Sequence, residues 1–278
     1  MVTLRPRNAA LLEAVEPYVV ATPFARPHLD LAPFGWALAP EHVLDPLRLR
    51  TEPFLALLQR LDVLAFGPEG MPMPRWVFYD CAELPGAIFG LGQRVERLDP
   101  DAARLFDVPP GYDGIVPLSM YVAIPMAPAG AWFGHNLSSL GPRLDRRRYR
   151  GLGTLTKVLA LRVFGVRHFY GATQWDSAAL FIHVRFGPLD LMTAYTPAHS
   201  EPETLTYHFP VDARVLRAAA GESGVTLPRP EPTETVRSDD SDHMRALQAA
   251  IEAGQRVVVP GPPRVDASGV FHVPVARL

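Results

Sequence analysis

Arg148-Tyr149-Arg150-Gly151-Leu152-Gly153-Thr154 runs without a break into an apolar, helix-forming stretch at residues 155–164, and this passage decides how the 278-residue chain is read. Two glycines one residue apart let the main chain come close to a ligand, because neither carries a Cβ. The helix that follows offers the N–H groups of its first turn and the positive end of its dipole. Arginines on the approach add full positive charge. Together these features describe a cradle for an anion, and the natural guest is a pyrophosphate.

Other phosphate loops fit less well. The Walker pattern needs four residues between its glycines and a lysine directly after the second, whereas here the first lysine to follow is Lys157. The dinucleotide pattern G-x-G-x-x-G needs a glycine where Thr156 stands. What remains, Arg148-x-x-Gly151-x-Gly153, resembles the Gln/Arg-x-x-Gly-x-Gly/Ala coenzyme A loop of the GNAT N-acyltransferase superfamily. Downstream, Ala179-Leu180-Phe181-Ile182-His183-Val184-Arg185-Phe186-Gly187 is similar to the family's Ala-x-x-x-Tyr-x-x-x-Gly helix, with His183 in the tyrosine position. The resemblance runs from Arg148 to Phe209. It implies a strand at 168–173 that splays from its neighbour to admit a pantetheine arm, and a closing strand pair at 189–196 and 205–209. At the start, Val2-Thr3-Leu4-Arg5-Pro6 resembles the family's first strand, with Asn8 capping a helix that runs toward Tyr18.

The resemblance implies an α/β fold of GNAT type: a mixed, mostly antiparallel sheet flanked by helices, with a helical insertion and a C-terminal appendage. It implies transfer of an acyl group from acetyl-CoA or another acyl-CoA to an amine acceptor, a small molecule or a peptide. The cofactor would be held by Arg148, Tyr149, Arg150, Gly151, Leu152, Gly153 and Thr154. His183 would protonate the departing thiolate, and the base would come from Glu83, Asp80 or His135, among which the sequence does not choose. One departure from the family is that Gly141-Pro142 interrupts the passage from the strand at 132–140 to the loop. His135, Asn136, Ser138 and Ser139 on that strand read either as pocket lining or as a solvent face. Replacement of the usual tyrosine, and the lack of an obvious base, favour an alternative: a non-catalytic GNAT-like module that holds coenzyme A or another anionic ligand. A nucleotide phosphate-binding enzyme is a third reading, if the glycine pair is used differently.

Composition places the chain among soluble enzymes. It is 48% hydrophobic and 20% charged, with a net charge of −2, so no global field favours nucleic acid or a membrane. The cluster Arg143, Arg146, Arg147, Arg148 and Arg150 is local, either a solvated basic loop or a phosphate site, and no aromatic platform for bases lies nearby. Cys81 is the single cysteine, which excludes an internal disulfide, and no Cys/His spacing suggests a metal. It lies in the apolar run 76–82 and reads as a buried strand residue. There is no signal-peptide core, and no run approaches the ~18 apolar residues that span a bilayer. The expectation is a cytoplasmic protein with no metal, no nucleic-acid or membrane partner, and room for a homodimer.

Along the chain, residues 52–66 read as a helix with Leu55, Leu58, Leu61 and Val63 on its apolar face. Residues 76–80 and 87–92 read as a β-hairpin, 99–106 as a helical turn, and 115–125 with 131–140 as a second strand pair. The helix at 155–164 should turn Leu155, Val158, Leu159 and Val163 inward and keep Lys157 and Arg162 away from the sheet. Asp176 and Ser177 read as a cap for a helix starting at Ala178, and Trp175 as a core plug or pocket floor. A polar stretch at 221–243 reads as a linker, followed by a helix at 243–253 and a hairpin from 255–260 and 269–275. The expected domains are therefore 1–215, acyltransferase-like, and 216–278, linker and appendage.

Overall fold

The computed structural model describes residues 6–32, 38–70, 72–77, 80 and 87–278. The chain divides into two units, Met1–Val166 with Ala220–Ser223 and Arg167–Ala219 with Gly224–Leu278. Both are α/β, and among the described residues the strand pairs within each unit are antiparallel apart from one parallel pair.

The first unit runs α1 (Pro6–Ala14), β1 (Glu16–Val20), β2 (Val43–Leu44), α2 (Glu52–Phe66), β3 (Ala87–Arg94), α3 (Pro100–Phe106), β4 (Ile115–Pro125), β5 (Ala131–Ser139), α4 (Arg146–Tyr149) and α5 (Leu152–Val163). Its strands lie in the order β2-β1-β3-β4-β5. Register fixes which helix covers which face. Tyr18 pairs with Gly90, Gly90 with Met120, and Val122 with Asn136, so these side chains share a face. Helix α2 lies on it: Phe54 meets the Tyr18 ring edge-on at 4.9 Å, and Asp62 meets Asn136. Ser119 and Tyr121 point the opposite way, to Thr156 and Lys157 of α5. Tyr18 needs Gly90 beneath it, since a Cβ there would sit 2.1 Å from the phenol ring. Across that gap the phenol donates to the Ser119 carbonyl at 2.8 Å.

Helix α2 starts where Pro53 presets the backbone of the first turn, and Val63 is its only β-branched residue. Phe54, Leu55, Leu57, Leu58, Leu61 and Leu64 are buried, each contributing about 1.5–3 kcal/mol of hydrophobic stabilisation. The expected stripe changes at its end. Val63 is 37% exposed, and Asp62, one turn on from Leu58, takes the inward place.

Two expectations for the first unit are corrected. Residues 75–77 are helical, following Pro74, and β3 pairs with β1 and β4 instead of forming a hairpin with 76–80. The helix capped at Asn8 stops at Ala14, and Glu16–Val20 is a strand, because Pro17 breaks the helical ladder and Val19-Val20 favour extended chain. Asn8 is no cap; its amide donates to Ala220 O at 2.5 Å. The expected strand at 2–6 falls almost wholly outside the described residues, as do Cys81 and Glu83.

The second unit runs β6 (His168–Gln174), α6 (Leu180–His183), β7 (Leu189–Thr193), β8 (Thr204–Pro210), α7 (Ala213–Ala219), β9 (Glu234–Arg237), α8 (Ser241–Glu252), β10 (Val257–Val259), β11 (Arg264–Val265) and β12 (Phe271–Arg277). The order is β6-β8-β7-β10-β12, with β9 and β11 beside β12. The C-terminal strands continue the sheet, through Val258 opposite Asp190 and Val259 opposite Leu189. The boundary therefore differs from the expected division at 215/216, because β10 finds its partner in β7. The expected linker contains β9 and ends in α8, which Asp240 caps by accepting from His243 N–H at 3.0 Å. Arg229 fastens the stretch before β9, donating to Val184 O and Pro260 O. Trp175 is fully buried as a core plug, its indole N–H on Ala194 O at 2.8 Å. Ser177 accepts from Ala179 N–H at 3.2 Å at the head of α6. Among the described residues no helix is long and apolar enough to cross a membrane.

Candidate functional site

The site is built where β5 hands over to α5. Val122 pairs with Asn136 and Ala123 with Gly134, which leaves His135 as the extra residue of a β-bulge. Bulges re-aim side chains, and the His135 ring is exposed. Protein crowding one side of the ring lowers its pKa from 6.5, and the nearby Asp62 carboxylate partly offsets this.

Asp62 itself is fully buried, a residue that sequence reading passed over. Its carboxylate accepts the Met73 N–H and the Asn136 amide, each at 2.7 Å, and Ser138 donates to Asn136 Oδ1 at 2.9 Å. Burial raises the Asp62 pKa, while the Met73 N–H, the Asn136 amide and His135 hold it down. Asn136 and Ser138, expected as pocket lining or a solvent face, are thus engaged in a network that ties α2 to β5. A charged residue inside an apolar helix pattern was the one available signal for Asp62.

After β5, Gly141-Pro142 begins a single 3-10 turn, and Asp145 caps α4 by accepting from Arg147 N–H at 2.8 Å. Gly151 then takes φ 92° and ψ 5°, a left-handed conformation that costs other residues roughly 1–2 kcal/mol. Helix α5 begins at once, three residues before the expected start at 155. Its first ladder bond joins Leu155 N–H to Gly151 O at 2.9 Å, so the N–H groups of Leu152, Gly153 and Thr154 precede the ladder. The two glycines therefore do different things. Gly151 makes the turn, and Gly153 lies inside the first helical turn.

Tyr149 anchors this turn from below. The buried phenol accepts from Gln93 Nε2 at 3.1 Å and donates to Asp99 Oδ2 at 3.2 Å. Gln93 in turn donates to Ala14 O at 2.8 Å and accepts from Asp99 N–H at 3.1 Å. Burial raises the Tyr149 pKa; Arg148 opposes the rise and Asp99 adds to it. Arg148 lies 3.6 Å from Asp99 Oδ2 with its side chain 48% exposed, and Arg143, Arg147 and Arg150 are exposed. Of the seven residues expected at the cofactor, Tyr149, Leu152 and Thr154 have buried side chains, and Gly151 and Gly153 carry none. Arg148 and Arg150 present charge.

The other expected residues lie elsewhere. Glu83 is outside the described residues, and Asp80 is exposed. His183 belongs to the second unit, buried in α6 with its ring 5.2 Å from that of Tyr207. Lys157, expected away from the packed face, is fully buried, its ammonium 5.8 Å over the Tyr121 ring. The reason is that α5 is enclosed on nearly every side, so Arg162 alone reaches solvent from it. Burial pushes the Lys157 pKa well down. Among the described residues no group of three or more His, Cys, Asp or Glu is placed to hold a metal ion.

The backbone is similar to that of several solved structures. A match to the ribosomal-protein-S18-alanine N-acetyltransferase from Escherichia coli covers 57% of this chain and 88% of that one, at 13% identity and a TM-score of 0.39. Aminoglycoside 6'-acetyltransferase type Ii matches over 58% and 92% of the two chains, at 15% identity and a TM-score of 0.38. The NatC complex bound to Gag peptide and CoA matches over 60% and 96%, at 14% identity and a TM-score of 0.41. No family model matches the chain, and no curated protein sequence does.

Proposed function

We propose that the chain is an acyl-CoA-dependent N-acyltransferase of GNAT type, moving an acetyl or related acyl group to an amine. The observation that carries this is the turn at Gly151. It opens α5 with N–H groups that precede the ladder, directly after the exposed Arg148 and Arg150 in sequence, in a residue pattern that resembles the family's coenzyme A loop. A pyrophosphate there would take charge-assisted bonds from side chains and bonds from main chain together.

The reaction needs an amine that loses its proton as the N–C bond forms and a thiolate that gains one as the C–S bond breaks. His135, exposed on the bulge and with a pKa below 6.5, is neutral at pH 7 and serves as proton acceptor in this reading. His183 holds the position that the resemblance gives to thiolate protonation. Its burial against Tyr207 favours a second reading, a module that binds coenzyme A or another anionic ligand without turnover.

The test begins with mass spectrometry for co-purified coenzyme A and a thermal shift with acetyl-CoA. Thiol release is then followed with polyamines, aminoglycosides and peptide N-termini. Turnover establishes the enzyme; a thermal shift without turnover on any acceptor leaves the binding module. Neither a co-purified ligand nor a shift would overturn both.

A further inference from the structure

Two turns leave the same end of the parallel β1–β2 pair. Val19 pairs with Val43, Val20 with Leu44, and Ala21 N–H donates to Leu44 O at 3.0 Å, so residues 23–26 and 45–50 emerge side by side. Between them lies an open cleft of about 680 Å³, lined by Pro23, Arg26, Asp45, Leu47, Arg48 and Arg50. The turns hold large apolar side chains outward. Leu49 is 89% exposed, Phe24 72% and Leu47 53%, and the first two are the most exposed large apolar side chains among the described residues. Single exposed apolar residues are ordinary; three on adjoining turns form a patch.

The patch is held in shape. Asp45 accepts from Leu47 N–H at 3.0 Å and from Arg48 Nε at 3.2 Å, Thr22 accepts from Ala25 N–H at 3.3 Å, and Arg26 Nε donates to Ala21 O at 3.1 Å. The cleft lining carries the guanidiniums of Arg26, Arg48 and Arg50 and the carboxylate of Asp45, which pairs with Arg48. The complement of this patch is therefore apolar at its centre and anionic at its edge. Protruding side chains need a socket each in a protein partner, whereas the acyl boundary of a bilayer receives them whatever their shape. Guanidiniums at the rim then lie at the depth of the lipid phosphates.

We propose that this end of the first unit docks on an anionic lipid surface, with Phe24, Leu47 and Leu49 entering the acyl boundary and Arg26, Arg48 and Arg50 on lipid phosphates. The docking is independent of acyl transfer and is the alternative to the expectation of no membrane partner.

The experiment is co-sedimentation of the full chain with vesicles of phosphatidylcholine alone and of phosphatidylcholine with phosphatidylglycerol. The expected result is pelleting with the anionic vesicles that salt weakens, and little with the neutral ones. Phe24→Ser with Leu49→Ser, on side chains that leave the fold intact, should weaken binding about tenfold or more at unchanged Tm. Arg48→Gln with Arg50→Gln should weaken it similarly and reduce the salt dependence. Absence of pelleting, or variants that pellet as the parent does, overturns the proposal. Equal pelleting on neutral vesicles overturns the role given to the arginines. A dimer that Leu49→Ser dissolves, without vesicle binding, assigns the patch to a second copy and overturns lipid docking.

Discussion

The Tyr149 phenol donates to the Asp99 carboxylate across 3.2 Å, and so fixes the arginine-rich turn to the start of α3. A side chain that the sequence offers as a ligand contact is in fact the foundation of the turn. Its neighbours Arg148 and Arg150 are thereby held at the surface rather than left on a free loop.

Tyr149→Phe keeps the ring and deletes the hydroxyl, leaving the Gln93 amide and the Asp99 carboxylate short of a buried partner. The expected cost is about 1–3 kcal/mol, read from urea unfolding, with a smaller thermal shift on adding coenzyme A. Unchanged stability would mean that water replaces the hydroxyl at no cost.

Gly151→Val places a β-branched residue at φ 92°, and Gly153→Val crowds the first turn of α5. Each should abolish the coenzyme A thermal shift, and Gly151→Val should also cost at least about 1–2 kcal/mol of stability. A folded variant that keeps the full shift removes this turn from cofactor binding.

Lys157 makes a pH prediction. Its folded-state pKa lies well below 10.5, so between that value and the unfolded one the unfolded chain binds more protons. Stability should rise with pH through this window and level off above about 10.4. Lys157→Met should flatten that slope in urea midpoints measured from pH 7 to 10. Parallel slopes in parent and variant would show that the ammonium is solvated in the folded state.

His135 and His183 are separable by substitution. His135→Gln should lower turnover by ~10²–10⁴-fold while sparing the coenzyme A thermal shift. The acid limb of kcat/KM in the parent should fall below 6.5, the direction in which crowding moves the ring. His183→Phe, in a packed residue, should lower the Tm and change turnover only a few-fold. A hundredfold loss there, partly restored by His183→Tyr, would instead give the buried ring the proton for the thiolate.

Legibility in the sequence follows the range of the interactions. The helix at Glu52–Phe66 and the pair Ile115–Pro125 and Ala131–Ser139 are legible because period and turn residues are local signals. The stretch at 76–77 misleads because Trp76-Val77 carries strand-forming side chains, and propensity yields to context there. Lys157 misleads for another reason: amphipathic reasoning assumes one wet face, and α5 has almost none. The roles of Tyr149 and Asp62 depend on partners far off in sequence, and the bulge at His135 depends on the register of β4. Of these only Asp62 leaves a local trace, as a charge inside an apolar helix pattern.

The pairing of β10 with β7 bears on how the protein is made. Strand β7 leaves the ribosome long before β10, which follows only after β8, α7, β9 and α8. At translation rates of about 5–20 residues per second, the nascent sheet therefore shows a bare edge for several seconds. Unpaired main-chain N–H and C=O groups along such an edge can recruit a strand from a neighbouring chain. Crowding of polysomes, or a chaperone that shields Leu189–Thr193 until Val257–Val259 arrives, should thus set the yield of native protein more strongly than the stability of the finished fold does.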